Sequence, residues 1–231
     1  MDDEKAKILT SRGDIQDDPA DRLADYEAAL EIDPTQVVAL RHRGQVLVES
    51  GDPEAALTDF DAALEIEPND PETLEARGVA LGMLGRHEEA MEALGKAIEI
   101  QPRFATAYIH RARLLMKEQQ FKEAINDLDK SILVVTTNPL ALVLRATCYE
   151  ALNDTDRALA DVERALKLQP NFLPAIQLQA NLLLSAGCLE EALGVVEVLQ
   201  QRLPNNAQIL VQLGALYRQA NRVNDAIAAF T

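Results

Sequence analysis

A repeat of 34 residues runs through the chain and constrains its fold more than any other feature. Alanine occupies one phase of this repeat at Ala56, Ala90, Ala124, Ala158, Ala192 and Ala226. A large apolar residue follows four residues later each time, at Phe60, Leu94, Leu128, Val162, Val196 and Phe230. Proline marks a third phase at Pro34, Pro68, Pro102, Pro170 and Pro204, with Thr136 as the one substitute. Because the register never slips, each repeat is predicted to contact the next in the same way.

Each repeat has the pattern of two helices joined by a tight turn, as residues 35–68 illustrate. The first predicted helix, around Val37 to Glu49, places Leu40, Gly44 and Leu47 on one face at helical spacing. Glycine and asparagine, which tolerate a left-handed backbone, hold five of the six positions that follow this helix. The six residues are Gly51, Gly85, Gln119, Asn153, Gly187 and Asn221.

The second helix of the same repeat has clear start and stop signals. Asp52 is the predicted N-cap and Pro53 is the predicted first helical residue. The helix is predicted to run to about Ile66, because Pro68 prevents its continuation.

Small residues on the first helices are predicted to lie opposite the alanine column of the second helices, so that the two backbones approach closely. They are Gly44, Gly78, Ala112, Ala146, Ala180 and Gly214. Helices of about a dozen residues are marginal alone, so the repeats must be stabilised by stacking on one another.

These columns resemble the tetratricopeptide repeat (TPR). In residues 35–68 the matching residues are Leu40, Gly44, Leu47, Ala56, Phe60, Ala63 and Pro68, with Arg43 where the family usually has Leu. The resemblance implies an all-α fold, a right-handed superhelical solenoid of antiparallel helix pairs whose first helices line a concave groove. It predicts one domain over residues 1–231 with repeats at 1–34 (degenerate), 35–68, 69–102, 103–136, 137–170, 171–204 and 205–231 (truncated).

The two ends depart from the pattern. The first repeat is degenerate, and we expect a shortened or frayed first helix that acts as a polar cap or is the remnant of an upstream repeat. At the other end, Ala226 and Phe230 indicate the second helix of a seventh repeat, which stops at Thr231. We expect the chain to be a fragment of a longer protein, and the alternative is a homodimer formed through this end.

Two charged columns also share the repeat period. One consists of Arg43, Arg77, Arg111 and Arg145, and the other of Asp25, Asp59, Asp127 and Asp161. The preferred interpretation is that arginine and carboxylate pair between helices. The alternative is a basic stripe that binds acidic ligands.

Composition limits the partners. The chain has 22 basic and 38 acidic residues, a net charge of −16, so binding to nucleic acid or to anionic membranes is not expected. No apolar run is long enough for a membrane span, and the start is acidic where a signal peptide would be basic. A cytoplasmic location is predicted, and the two cysteines fit a reducing compartment.

No catalytic, cofactor or metal site is predicted. His42, His87 and His110 do not pair at metal-ligand spacing on one helix, and Cys148 and Cys188 lie out of phase with each other. The chain contains no phosphate-binding loop or dinucleotide fingerprint. An enzyme is therefore not expected.

The resemblance instead implies a partner-binding site on the concave face. The residues predicted to contact a protein or peptide are Arg41, Gln45, Glu49, Glu75, Val79, Ile109, Arg113, Met116, Val143, Thr147, Gln177 and Asn181. Ile109, Met116 and Val143 are predicted to form an outward-facing apolar centre. The alternative is that they pad contacts between repeats.

The predicted function is that of a scaffold or adaptor that binds a peptide or protein segment in this groove. One alternative is a substrate-recruiting or regulatory arm of a larger enzyme or secretion complex. Another is a structural module that assembles with itself through its uncapped end.

Overall fold

The computed structural model describes residues 2–202, 204–223 and 225, and the regular secondary structure in these ranges is helical. The helices are α1 (Asp2–Asp14), α2 (Pro19–Ile32), α3 (Val37–Glu49), α4 (Pro53–Ile66), α5 (Pro71–Met83), α6 (His87–Ile100), α7 (Ala105–Lys117), α8 (Phe121–Val134), α9 (Pro139–Ala151), α10 (Thr155–Leu168), α11 (Leu173–Ser185), α12 (Leu189–Arg202) and α13 (Ala207–Gln219). We call the odd-numbered helices A helices and the even-numbered ones B helices. Ala226 and Phe230, which predict a further B helix, lie outside the described residues.

The helices pack as consecutive pairs within two compact units, Met1–Leu114 and Leu115–Thr231. In the first unit α1 packs on α2, α3 on α4 and α5 on α6; in the second, α9 packs on α10 and α11 on α12. Successive A helices also touch, as α3 and α5 do in the first unit and α9 and α11 in the second. The assignment of residues 1–231 to a single domain stays a prediction.

Helix boundaries and turns follow the repeat closely. In the second repeat, α3 and α4 begin and end where predicted, and the Asp52 carboxylate caps α4 by accepting a hydrogen bond from the Ala55 N–H. All six predicted turn positions have a positive φ: 84° at Gly51, 75° at Gly85, 61° at Gln119, 60° at Asn153, 79° at Gly187 and 57° at Asn221. Gln119 therefore adopts the left-handed conformation although its side chain does not favour it.

The small residues of the A helices pack against the large apolar column of the B helices. Gly78 also lies close to the alanine column, as predicted, because a Cβ atom added to it would be 3.3 Å from the Ala90 carbonyl oxygen. A Cβ atom added to Gly44 would meet Phe60 Cε1 at 2.5 Å, and one added to Gly78 would meet Leu94 Cγ at 2.7 Å. Phe60 and Leu94 are fully buried as a result. In each pair, the large side chain of the B helix fills the space that the missing Cβ atom leaves on the A helix.

The first A helix is not shortened, so that expectation is wrong. α1 has 13 residues, the same length as α3, and it buries Ala6, Thr10 and Gly13. The Thr10 hydroxyl lies within hydrogen-bonding distance of both the Ala6 carbonyl oxygen, at 3.1 Å, and Gln36 Oε1, at 2.7 Å. These contacts place α1 in the repeat register despite its polar sequence.

Candidate functional site

The arginine and aspartate columns form ion pairs inside the repeats. Arg43 donates from Nε and Nη2 to the two carboxylate oxygens of Asp59, at 2.8 and 2.6 Å. Arg145 donates in the same way to Asp161, at 2.7 and 2.6 Å. The two aspartates are only 4% and 6% exposed, so the structural interpretation of these pairs is correct.

The pairing adapts where one column lacks its residue. Ala93 stands in the aspartate column opposite Arg77, and Arg77 Nε donates to Asp61 Oδ1 instead, at 2.7 Å. In the first repeat, Arg12 supplies the guanidinium for buried Asp25, and its hydrogen bond lowers the pKa of that carboxyl. Arg43, Arg77 and Arg145 of the arginine column therefore bind carboxylates of the chain itself, as the preferred interpretation predicts.

The predicted contact residues, except Met116, occupy equivalent positions on the A helices. Positions 38, 41, 45 and 49 of α3 are three or four residues apart and share one face of that helix. We call these positions and their equivalents in later repeats the A-helix stripe. Its members are Val38, Arg41, Gln45, Glu49, Glu72, Glu75, Val79, Met83, Thr106, Ile109, Arg113, Lys117, Leu140, Val143, Thr147, Ala151, Pro174, Gln177, Asn181, Ser185, Gln208, Val211, Ala215 and Gln219.

Several charged members of this stripe are engaged within the first unit. Arg41 is 13% exposed and donates to Asp70 at 2.8 Å, and its other terminal nitrogen lies 2.8 Å from Glu72. Glu49 is exposed and accepts a hydrogen bond from Arg22 at 2.9 Å. Position 41 therefore points along the stripe toward the next A helix, because Asp70 caps α5.

Glu75, at the equivalent position of α5, also reaches the next A helix. His110 Nε2 lies 3.2 Å from Glu75 Oε1, and the two side chains are 30% and 14% exposed. Burial raises the pKa of the Glu75 carboxyl. A hydrogen bond with Thr106 lowers this pKa, and the negative charge of Glu72 raises it. Burial, assisted by Arg113, lowers the pKa of His110 to about 4. The imidazole is therefore neutral at pH 7 and can still act as a donor through a neutral N–H.

The prediction that Ile109 and Val143 face outward is wrong. Ile109 is 4% exposed and Val143 is 6% exposed. Both residues occupy the A-helix position that is equivalent to Arg41 and Glu75. The alternative, that they pad contacts between repeats, stays a prediction.

The remaining predicted residues keep some access to solvent. Arg113 and Asn181 are exposed, whereas Gln45, Val79, Met116, Thr147 and Gln177 are half-buried. The Thr147 hydroxyl donates to the Val143 carbonyl oxygen at 3.0 Å. Whether these residues contact a partner stays a prediction.

Sequence reasoning missed three exposed apolar residues of the stripe, Val38 (41%), Met83 (53%) and Leu140 (40%). Each lies one turn from a predicted residue, so extending the same helical spacing along each helix would have found them. A fourth, Val211 (59%), lies one repeat beyond Gln177, and the sequence pattern does predict it on the concave face.

The stripe divides into two chemical types. The positions on α3, α5 and α7 include Arg41, Glu49, Glu72, Glu75, Arg113 and Lys117. On α9, α11 and α13, by contrast, the sequence places no Asp, Glu, Lys or Arg at any of the twelve stripe positions. The stripe positions of α9, α11 and α13 therefore carry apolar residues and residues with amide or hydroxyl side chains.

Other chemistry is sparse in the described part of the chain. Residues 2–202, 204–223 and 225 contain no group of three His, Cys, Asp or Glu side chains that could hold a metal ion. Burial raises the pKa of the Cys148 thiol to about 11, which makes it a poor nucleophile. Within the same ranges, no helix has the length and hydropathy needed to cross a membrane.

Comparison with known proteins follows this geometry. Models of the tetratricopeptide repeat match residues 15–80, 71–104, 105–134 and 139–172. No curated protein sequence matches the chain significantly.

Among solved structures, PilW, a widely conserved type IV pilus biogenesis factor, superposes with a TM-score of 0.83 at 21% identity, over 90% of this chain and 98% of PilW. A tetratricopeptide repeat protein from Parabacteroides merdae gives a TM-score of 0.74 at 19% identity, over 98% of this chain and 91% of that protein. YrrB, a TPR protein with an unusual peptide-binding site, gives a TM-score of 0.59 at 22% identity, over 74% of this chain and 87% of YrrB. These structures share the fold of the chain.

Proposed function

Because the chain belongs to the tetratricopeptide-repeat family, we propose that it is a protein–protein interaction scaffold that binds an extended peptide segment along the A-helix stripe of its second unit. The observation that carries this proposal is the absence of charged side chains from the stripe positions of α9, α11 and α13. The chain as a whole carries a net charge of −16, so an uncharged strip of this length is a marked exception.

The exposed residues of this strip suit a peptide backbone with apolar side chains. Leu140 and Val211 are 40% and 59% exposed and offer apolar contacts. Asn181 is exposed and Gln177 half-exposed between them, and each amide both donates and accepts hydrogen bonds. An extended segment needs this combination, because its main chain carries unpaired donors and acceptors.

The stripe of the first unit is a weaker candidate for the same role. Arg41 and Glu49 already bind charged groups of the chain, and a ligand would have to replace those ion pairs. The proposed mechanism is static, because side chains that packing holds in place lose little entropy when a flexible segment binds. Catalysis is not part of this function.

The experiment is a quantitative pull-down from native lysate with wild type and the double variant Leu140→Glu/Asn181→Glu. Both residues are accessible, so the change adds charge to the strip without filling the core. We expect proteins captured by wild type to fall by about tenfold with the variant, since a buried unpaired carboxylate is costly.

The matched control is Leu133→Glu on α8, which adds charge at a residue that is 81% exposed and lies outside the stripe. Circular dichroism first establishes that all three proteins are folded. Equal capture by wild type and the Leu140→Glu/Asn181→Glu variant would contradict the proposal, as would equal losses with the control.

A further inference from the structure

A second candidate surface is an apolar cleft between α10, α11 and α12, with a volume of about 510 Å³. We call it the α10–α12 cleft. It is lined by Leu166, Pro170, Ile176, Gln179, Glu191, Gly194, Val195, Val198 and Leu199. Val198 is 48% exposed, so the cleft presents apolar surface to solvent. Its size lies within the range of about 300–1,000 Å³ that is typical of ligand-binding pockets.

This cleft is separate from the A-helix stripe. Ile176 and Gln179 line the cleft from α11, whereas Gln177 and Asn181 of the same helix belong to the stripe. At 100° per residue these two pairs lie on opposite sides of α11. A ligand in the cleft would therefore not compete for the stripe residues of that helix.

An equivalent cleft exists 102 residues earlier, in the first unit, and its chemistry is different. It has a volume of about 540 Å³ and is lined by Asp61, Leu64, Glu65, Pro68, Leu74, Arg77, Glu89, Glu92, Ala93 and Lys96. Leu64, Pro68 and Leu74 correspond to Leu166, Pro170 and Ile176, so the apolar floor is the same in both.

The lining of the α10–α12 cleft has fewer charged side chains than the lining of the earlier cleft. Gln179 stands at the position of Arg77, Gly194 at that of Glu92, and Val198 at that of Lys96. Val195 also replaces the smaller Ala93 and stands in the column that holds buried aspartates in other repeats. The sixth repeat has thus exchanged an ion-pair surface for an apolar one.

Glu191 is the charged residue that this exchange leaves in the lining. Its counterpart Glu89 pairs with Arg86, at 2.7 and 2.6 Å. In the sixth repeat Cys188 stands at the position of Arg86, and both Gln179 and Val198 are neutral. Over residues 2–202, 204–223 and 225, the structure shows no ion pair for Glu191. A carboxylate without a cation thus borders an apolar cleft.

We propose that the α10–α12 cleft binds a basic amphipathic helix of another protein, with apolar side chains in the cleft and a Lys or Arg against Glu191. A helix places apolar residues one turn apart on one face and a basic residue beside them, which matches the lining. The net charge of −16 favours the approach of a cationic partner.

The test uses a phage-displayed library of helix-forming peptides, selected on wild type and counter-selected on the variant Gln179→Arg/Val198→Lys. This variant restores the two cations of the equivalent cleft, whose backbone already carries Arg77 and Lys96. We expect surviving peptides to combine Leu, Met or Phe one turn apart with Lys or Arg. A library without surviving clones, or clones without basic residues, would overturn the proposal.

A peptide from the selection is then titrated by fluorescence anisotropy. Glu191→Gln should raise its Kd by about 3–10-fold, because one partly exposed charge pair is lost. The stripe variant Leu140→Glu/Asn181→Glu should leave the Kd unchanged, which separates this site from the proposed function. An unchanged Kd with Glu191→Gln would overturn the role of that residue.

Sedimentation velocity addresses the competing occupant, a second copy of the chain. The proposal expects the mass of wild type to equal that of the Gln179→Arg/Val198→Lys variant. A wild-type dimer that this variant converts to a monomer would show self-association through the cleft and would overturn the proposal.

Discussion

At the scale of single residues, the repeat imposes backbone conformations that the local amino acid does not always favour. Gln119 has a φ of 61° at a position where three other repeats have glycine. A residue with a Cβ atom pays about 1 kcal/mol or more for that conformation, whereas glycine adopts it freely. The stacking of neighbouring helices holds the turn in place.

Replacement of Gln119 with glycine should therefore stabilise the protein. We expect a gain of about 0.5–1 kcal/mol in the free energy of unfolding, reduced by the greater freedom of glycine in the unfolded chain. Urea unfolding of wild type and Gln119→Gly measures it. The converse change, Gly51→Gln, should destabilise the protein, although no atom lies within 4 Å of the added Cβ. A loss of stability with Gln119→Gly would contradict the explanation.

His110 should make stability depend on pH. Its pKa is about 4 in the folded protein and about 6.5 when unfolded, so the folded state resists protonation. This difference in pKa contributes fully to the stability of the folded state above about pH 6.5, and the contribution is lost as the pH falls toward 4. Glu75 acts in the opposite sense, because its raised pKa gives stability that is lost as pH rises through that value.

The measurement is urea unfolding of wild type and His110→Gln at about pH 7 and about pH 4.5. After allowance for the partial exposure of the imidazole, wild type should lose about 1–2 kcal/mol more than the variant on acidification. Parallel losses in the two proteins would show that His110 does not titrate as described.

At the scale of helix pairs, a missing Cβ atom on the A helix is matched to a large side chain on the B helix. Gly13 packs on Tyr26, Gly44 on Phe60 and Gly78 on Leu94. In the fifth and sixth repeats, alanine at the glycine position occurs together with a smaller valine in the B-helix column. Volume is thus balanced in these two repeats, whereas the fourth repeat combines Ala112 with Leu128.

Gly44→Ala should destabilise the protein by about 1–3 kcal/mol, because the new methyl group would meet Phe60 at 2.5 Å. The matched control is Gly95→Ala in α6, where the nearest atom is 3.9 Å from an added Cβ. That change should stabilise by about 0.5–1 kcal/mol through helix propensity. Thermal unfolding followed by circular dichroism compares the two.

A second substitution checks the cause. Adding Phe60→Leu to Gly44→Ala should restore part of the loss, since leucine faces the small residue in the next repeat. Strictly additive losses would mean that the methyl group and the ring do not interfere.

At the scale of the whole chain, the repeat predicts the helices well and the surfaces poorly. The proline, alanine and turn columns, such as Pro53, Ala56 and Gly51, gave the helix boundaries because each acts through local backbone chemistry. Ile109 and Val143 were misplaced because helical spacing gives the direction of a side chain but not the neighbour that covers it. The Glu75–His110 pair joins two repeats, and no single-repeat pattern could show it.

The acidic excess has its own consequence for stability. With a net charge of −16, repulsion between carboxylates opposes the compact state, and salt screens it. Raising NaCl from about 0.01 to about 0.5 M should raise the melting temperature by a few degrees. The variant Glu54→Gln/Glu65→Gln/Glu99→Gln, which removes exposed carboxylates, should respond less. A melting temperature that falls with salt in wild type would show that ion pairs dominate.

The six left-handed turns also bear on how such a chain can change in length. Because α3, α5, α7, α9 and α11 each pass to their B helix through the same joint, a gene duplication or deletion of 34 codons beginning at one of these turns rejoins two equivalent joints. A binding surface carried by neighbouring repeats, such as the α10–α12 cleft of the fifth and sixth repeats, can therefore be copied, moved or lost as a cassette. A change in ligand preference then requires new side chains at a few positions, while the helices and turns stay the same.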